Sequence, residues 1–171
     1  MTATSPGTAD QLRTTACPGC GAVLVTAPDA DDRHAGASAS CWRLFQVTVR
    51  GLRDEAAQDR RAATLLQLAR DTYDAQHPLP GEPASAAVRL CLVRDRGQDP
   101  LVAAALHRVG DVAPRSLQPP ARWTTTVADL AADLDVVDLP ALVSAWADAT
   151  WADWAPAAPE LRRAADSALT S

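Results

Sequence analysis

Apolar residues recur at helical spacing along most of the chain. Trp42, Phe45, Val49 and Leu52 lie on one face of such a repeat and predict a helix over residues 41–58, with Ser40 as its N-cap. Similar repeats, bounded by proline, glycine or capping residues, predict further helices over residues 61–76, 84–94, 100–109, 126–135, 139–155 and 159–169. The fold class that this pattern predicts is all-α, a single-domain helical bundle.

The N-terminal part of the chain lacks this repeat. Residues 1–15 are rich in Thr, Ser, Pro and Gly and predict a flexible tail, which leaves residues 16–171 as one helical domain. A short apolar run over residues 22–25 predicts a strand, and residues 26–39 read as a loop. The helical bundle should therefore carry a small non-helical unit at its N-terminal end.

Cys17 and Cys20 flank a Pro-Gly pair within that unit. Because proline fixes φ and glycine tolerates positive φ, this turn places both thiolates on one side of a tight knuckle. Cys41 lies in the first turn of a predicted helix, where the helix dipole favours a thiolate. This spacing predicts an N-terminal zinc knuckle in which Cys17, Cys20 and Cys41 hold a zinc ion.

Two histidines compete for the fourth zinc position. His34 lies in the loop between the CxxC pair and Cys41, at a spacing typical of zinc sites. His77 directly precedes Pro78, at the end of a predicted helix where the last carbonyls lack partners. The residues alone leave both ligands open. Cys91 stands in an apolar stripe and is expected to be a core thiol.

The last long helix carries three tryptophans close together. Trp146, Trp151 and Trp154 could form a ligand-binding surface, but tryptophans at helical spacing are more often packing residues. We expect them to belong to the core.

Charge and composition exclude several classes of partner. The basic residues are all arginine, and the formal net charge is −5 without a long run of either sign, so no basic patch for nucleic acid is present. No segment approaches the roughly 20 apolar residues of a transmembrane helix, and the N-terminus lacks the features of a signal peptide. We expect no nucleic acid and no membrane as partners, and a cytoplasmic location.

Several segments, in their order along the chain, resemble a family of bacterial proteins of unknown function. They include Cys17-Pro-Gly-Cys-Gly-Ala, Cys41-Trp42, Tyr73-Asp-Ala-Gln-His77-Pro78, Leu90-Cys-Leu-Val-Arg-Asp-Arg-Gly97 and Trp151-Ala-Asp-Trp154. The likeness covers roughly residues 16–165 and implies no particular activity.

The chain also departs from the pattern of these relatives. They tend to carry histidine where this chain has Arg89, and a histidine pair where it has Ala157 and Ala158. His34 lies closer to Cys41 than in the usual pattern, whereas the Gln-His-Pro segment that contains His77 is intact. The resemblance therefore favours His77 as the fourth ligand.

Three functions remain open. The one we favour is a zinc-stabilised helical protein with a non-catalytic role, in which it binds a protein partner or acts as an accessory protein. The second is a metalloenzyme or metal carrier of the helical-bundle type that uses His77 at an open metal site. The third is a thiol-redox protein that uses Cys17 and Cys20, although no strand–helix setting of the thioredoxin type surrounds them. No glycine-rich phosphate loop, GxSxG or HExxH motif favours an enzyme.

Overall fold

Helices account for most of the chain that the computed structural model describes, residues 13–26 and 34–170. The elements, in chain order, are β1 (Thr14–Ala16), β2 (Val23–Val25), α1 (Ala39–Thr48), α2 (Arg50–Glu55), α3 (Arg60–Gln76), α4 (Ser85–Arg94), α5 (Pro100–Ala105), α6 (Val109–Val112), α7 (Val127–Asp133), α8 (Leu139–Asp153) and α9 (Ala158–Leu169), with a 3₁₀ turn at Ala155–Ala157. The fold is thus mainly helical, as predicted, and also contains a two-stranded sheet that an all-α fold would lack.

Helix α3 lies at the centre of the bundle. It packs against α2, α4, α5 and α8, while α4 also packs against α9. Large apolar side chains repeat along the inward faces of these helices and are completely buried, among them Tyr73, Leu90, Trp146 and Leu161. None of the described helices is both long enough and apolar enough to span a membrane.

The sheet is an antiparallel hairpin at the N-terminal end. Its register pairs Thr15 with Leu24, and the turn between the strands contains Cys17 and Cys20. Gly21 closes the turn with φ +76°, a backbone conformation that residues with a side chain rarely adopt. Of the predicted tail, residues 1–12 lie outside the described residues, and Thr14 and Thr15 belong to β1.

The predicted helix over residues 41–58 is two helices in the structure. The N-cap is Ser38, not Ser40, since the Ser38 side chain accepts a hydrogen bond from the Cys41 N–H. The helix is interrupted at Val49, whose φ and ψ are −95° and 9°. Just before the break, the Thr48 hydroxyl donates to the Leu44 carbonyl at 2.9 Å, a bond that bends helices.

The predicted helix over residues 100–109 is also divided. Helix α5 ends at Ala105, because Leu106 turns to an extended conformation with φ −74° and ψ 92°, and α6 begins at Val109. Gly110, the residue after the predicted helix, lies inside α6. No proline or glycine marks the break at Leu106 in the sequence.

The two tryptophans of α8 and Trp154 at its C-cap pack as expected. Trp146 is completely buried and Trp154 almost so. Trp151 is half-buried, and its indole N–H donates to the Asp95 carboxylate at 2.8 Å.

Candidate metal centre

Four buried side chains converge where the hairpin meets the bundle. The three Sγ atoms of Cys17, Cys20 and Cys41 and a ring nitrogen of His77 all lie within 4.8 Å of one another. The Cys20 and Cys41 sulfurs are 3.7 Å apart, and His77 Nε2 lies 3.5 Å from the Cys41 sulfur. This set of ligand atoms is compatible with a metal site.

The backbone brings two of these sulfurs together through the hairpin turn. The Gly21 N–H donates to the Cys17 carbonyl at 2.9 Å, and the Cys17 N–H donates to the Ala22 carbonyl at the same distance. Cys41 comes from the first turn of α1 and His77 from the C-cap of α3. The four residues therefore connect the hairpin, α1 and α3 at one point.

The ring of His77 is held in one tautomer. His77 Nδ1 lies 2.7 Å from the carbonyl oxygen of Tyr73, and since a carbonyl can only accept, Nδ1 carries the proton. In the neutral imidazole this leaves the lone pair on Nε2, the nitrogen that lies on the side of the cysteines. Metal-binding histidines usually have such a second hydrogen bond, which fixes the ring and raises its basicity.

Two glycines permit the close approach of the knuckle to His77. A Cβ on Gly19 would lie 2.4 Å from His77 Cδ2 and 2.7 Å from the Gly36 carbonyl oxygen. A Cβ on Gly36 would lie 2.2 Å from the carbonyl oxygen of His77. Neither position has space for a side chain, so both glycines are needed for the site geometry.

The thiols are hydrogen-bonded among themselves and to the protein. The Ser38 N–H donates to the Cys17 sulfur at 3.3 Å, and the Tyr73 hydroxyl donates to the Cys41 sulfur at 3.5 Å. Without a metal, hydrogen bonds from Cys20 and Cys41 lower the pKa of Cys17 far below its usual range. The reciprocal bonds with Cys17 raise the pKa of Cys20 to about 11 and that of Cys41 still further. The metal-free cluster thus stabilises one thiolate and keeps two thiols protonated.

Aromatic rings cover the cluster on the bundle side. The ring of Tyr73 stacks on that of His77 at 4.0 Å between centroids and on that of Phe45 at 4.3 Å. Burial raises the pKa of the Tyr73 hydroxyl, which therefore stays protonated and remains a donor to the Cys41 sulfur. These rings keep water away from the sulfurs.

His34 is not among the four converging residues. Its Nε2 lies 3.3 Å from an Asp74 carboxylate oxygen, and its Nδ1 accepts a hydrogen bond from the Gly36 N–H at 3.2 Å. The structure therefore brings His77, and not His34, to the three cysteines. Cys91 is buried between helices, away from the cluster, as its apolar surroundings predicted.

Two further residues, Trp123 and Gln76, support the site without being predicted from the sequence. The Trp123 indole N–H donates to the Gly19 carbonyl at 3.0 Å and ties the knuckle to the segment before α7. Gln76, completely buried beside His77, donates to the Thr125 carbonyl at 2.7 Å and accepts from the Trp146 indole at 3.1 Å. The signal for Gln76 was its place in the Tyr-x-x-Gln-His-Pro motif, whereas nothing in the sequence pairs Trp123 with the knuckle.

Comparison with known proteins identifies the family of the chain but no activity. No curated protein and no solved structure matches it significantly. The model of a family of unknown function, DUF5946, matches residues 15–155, which include all four converging residues. The chain therefore belongs to this family of unknown function.

Proposed function

We propose that the protein is a zinc-stabilised helical protein in which Cys17, Cys20, Cys41 and His77 hold a structural zinc ion, and that its role is non-catalytic binding or accessory. The observation that carries this proposal is the convergence of four buried ligand atoms. The donor set of three thiolates and one imidazole is common in structural zinc sites.

The distances between ligand atoms support zinc. A tetrahedral ion with Zn–S of about 2.3 Å and Zn–N of about 2.0–2.1 Å places two sulfurs about 3.8 Å apart, and a sulfur and a nitrogen about 3.5 Å apart. The corresponding separations are 3.7 Å between the sulfurs of Cys20 and Cys41, and 3.5 Å between Cys41 Sγ and His77 Nε2. Both separations agree with those around a tetrahedral zinc ion.

The same ligand set argues for a closed site. Four protein ligands complete a tetrahedral shell, whereas catalytic zinc sites keep one position for water or substrate. Three thiolates also donate enough charge to make the metal a weak Lewis acid. Each ligand residue is at least 95% buried, so substrate has little access to the ion.

The position of the site supports a structural role. A two-stranded hairpin is at best marginally stable alone, and Val23 and Val25 of β2 are 67% and 50% exposed. Within the two strands Leu24 packs against the core, so the strands contribute little apolar surface to the attachment of the hairpin. A metal bound by the hairpin, α1 and α3 would supply that attachment, because binding free energy becomes folding free energy when the unfolded chain lacks the site.

The two alternative functions have less support. A metalloenzyme or carrier that uses His77 needs an open or exchangeable position, but His77 Nε2 faces the three cysteines. A redox pair of Cys17 and Cys20 needs an accessible thiolate, often at a helix N-terminus. Both thiols are buried and lie in a turn between strands.

The test compares two substitutions of buried cysteines. Cys20→Ser removes a proposed zinc ligand, and Cys91→Ser makes the same chemical change at a cysteine outside the cluster. We expect one zinc per chain by elemental analysis in the unchanged protein and in Cys91→Ser, and loss of zinc with a lower melting temperature in Cys20→Ser. A chelator should lower the melting temperature of the unchanged protein towards that of Cys20→Ser. Unchanged zinc content in Cys20→Ser, or none in the purified protein, would refute the proposal.

A further inference from the structure

A pocket of about 270 Å³ opens beside the metal centre, between the C-terminal end of α3 and the N-terminal end of α4. His77 forms part of its wall, but the ring nitrogens of that residue are engaged by the Tyr73 carbonyl and the cysteine cluster. The other polar residues that line the pocket are His34, Asp74, Glu82, Ser85 and Arg89. No part of the proposed structural metal site accounts for this group.

An ion pair between a buried carboxylate and a partly exposed guanidinium lies where the pocket meets the packed interior. Asp71 is 1% exposed, and Arg89 Nε donates to one of its carboxylate oxygens at 2.5 Å. Burial raises the pKa of Asp71, and the charge of Arg89 opposes that rise. The two terminal guanidinium nitrogens of Arg89 have no acceptor among the described residues. Arg89 can therefore satisfy Asp71 and still donate to a ligand in the pocket.

Helix α4 contributes positive potential to one side. Its N-cap residue is Ala84, which provides no side chain to accept from the first-turn N–H groups. Ser85, Ala86 and Ala87 of that turn all line the pocket. The Ser85 N–H donates to the Pro83 carbonyl at 2.7 Å, which leaves the N–H groups of Ala86 and Ala87 uncapped. These groups and the helix dipole favour an anionic group, and the hydroxyl of Ser85 and the guanidinium of Arg89 add donors on the same helix.

Helix α3 contributes negative potential to the other side. Asp71 of α3 pairs with Arg89 of α4. Asp74 lies one turn after Asp71, and Ser85 lies one turn before Arg89, yet both line the same pocket, so the two helices run antiparallel. The C-terminal carbonyl end of α3 therefore lies beside the N-terminal end of α4. The side chain of Asp74 is 42% exposed and adds a carboxylate at this end, one oxygen of which lies 3.3 Å from His34 Nε2. Glu82 adds another carboxylate at the exposed rim. A cationic group is favoured on this side.

We infer that this pocket binds a small zwitterion, a free α-amino acid, with its carboxylate towards Ser85, Arg89 and the start of α4, and its ammonium group towards Asp74. The carboxylates of Asp74 and Glu82 disfavour a simple anion, and Arg89 disfavours a simple cation. Apolar wall residues, among them Leu79 and Trp154, would contact the side chain of the amino acid. This inference rests on the binding role proposed above and gives it a class of ligand. The pocket shares one residue with the metal centre, His77, which forms part of its wall.

The test titrates the zinc-loaded full chain with each of the common L-amino acids by calorimetry, with acetate and methylamine as the two half-ligands. We expect saturable binding of one or more amino acids and much weaker binding of either half. Asp74→Asn and Ser85→Asp should each weaken that binding about tenfold, which corresponds to about 1.4 kcal/mol. An aspartate in the first turn interacts favourably with the helix dipole, so the Ser85→Asp variant should fold normally. Its new carboxylate should repel the carboxylate of the ligand.

The matched control is Asp133→Asn, an exposed carboxylate at the C-terminal end of α7 and outside the pocket. It should leave binding unchanged. The inference is wrong if no amino acid binds, if acetate binds as tightly as the best amino acid, or if Asp74→Asn and Ser85→Asp bind like the unchanged protein. Zinc content is measured on the same samples. A zinc-free protein that still binds an amino acid would contradict the structural-zinc proposal and leave the pocket intact.

Discussion

At the scale of single residues, the metal centre depends on what surrounds His77. Pro78 follows it and ends the helix, the Tyr73 carbonyl fixes its tautomer, and Gly19 and Gly36 leave room for its ring and backbone. Each of these groups acts through geometry alone, since none of them is a ligand. A substitution at any of them should therefore change metal affinity through the position of the imidazole.

We predict that Gly19→Ala destabilises the zinc-loaded protein by about 1–3 kcal/mol, the usual cost of an overpacked site. The added methyl group would overlap His77 Cδ2 and the Gly36 carbonyl, and the knuckle or the ring must then move. Urea unfolding of the metal-loaded protein measures this cost. Gly51→Ala is the control, because nothing lies within 4 Å of its added Cβ in helix α2 and helix propensity favours alanine. Equal stability of the two variants would contradict the geometry.

We further predict different effects for the two histidines near the site. His77→Ala should lower both zinc affinity and melting temperature, because it removes the fourth ligand. His34→Ala should leave one zinc per chain, because its ring contacts Asp74 and the Gly36 N–H instead of the cysteines. Competition with a chromophoric chelator measures the affinity. Retention of zinc in His77→Ala and its loss in His34→Ala would assign the ligand to His34.

At the scale of elements, the hairpin is attached to the bundle at few points. Besides the metal ligands, the Ser40 hydroxyl donates to the Val25 carbonyl at 2.8 Å and the Trp123 indole donates to the Gly19 carbonyl. The first contact joins β2 to α1, and the second joins the knuckle to the segment before α7. These hydrogen bonds should orient the hairpin, while the proposed metal would supply most of its attachment.

Trp123→Phe tests this second attachment. The substitution keeps an aromatic ring but removes the N–H that Gly19 accepts, and we expect a loss of about 1 kcal/mol in the free energy of unfolding. Trp42→Phe is the matched control, because the Trp42 indole N–H is buried without a hydrogen-bond partner. It should cost less than Trp123→Phe. A larger loss in Trp42→Phe would show that the Trp123 hydrogen bond contributes little.

The sequence predicted most of the elements but not all of their limits. Helices with strong caps, such as α3 after Asp59 and α7 after Thr126, appear close to the predicted positions. The breaks at Val49 and Leu106 were missed, because the apolar repeat continues through both residues and tertiary packing decides the local backbone. Strand β1 was missed because its polar residues resemble a tail, and its pairing with β2 is a non-local interaction.

The candidate site was predicted to a similar extent. Spacing and turn chemistry were enough to select Cys17, Cys20 and Cys41 as a group, because local sequence dictates the knuckle and the helix start. The choice between His34 and His77 depended on which elements lie together, which the residue pattern left open. The pocket beside Asp74 and Ser85 was not predicted at all, since it arises from the packing of two antiparallel helices.

At the scale of the whole molecule, the proposed metal couples folding to protonation. All three cysteines must be thiolates to bind zinc, but in the metal-free fold the pKa of Cys20 is about 11 and that of Cys41 is raised further. Hydrogen bonds lower the pKa of Cys17, so it is already ionised at neutral pH. Zinc binding to the folded protein should then release about two protons.

Calorimetry at pH 7 in buffers of different ionisation enthalpy measures this release. Because the raised pKa values keep two thiols protonated, apparent zinc affinity should increase as pH rises from neutral towards 11 and decrease in acid. Release of no protons would contradict the proposed three-thiolate ligand set. Release of about three protons would indicate that the metal-free chain loses the thiol cluster.

The most direct test of the central claim is the X-ray absorption spectrum of the purified protein at the zinc edge. The proposed site predicts three sulfur neighbours at about 2.3 Å and one nitrogen at about 2.0–2.1 Å, with no oxygen in the first shell. Imidazole scattering should accompany the single nitrogen and disappear in His77→Ala. A first shell with bound water and fewer than three sulfurs, or a purified protein without zinc, would contradict a closed structural site made by Cys17, Cys20, Cys41 and His77.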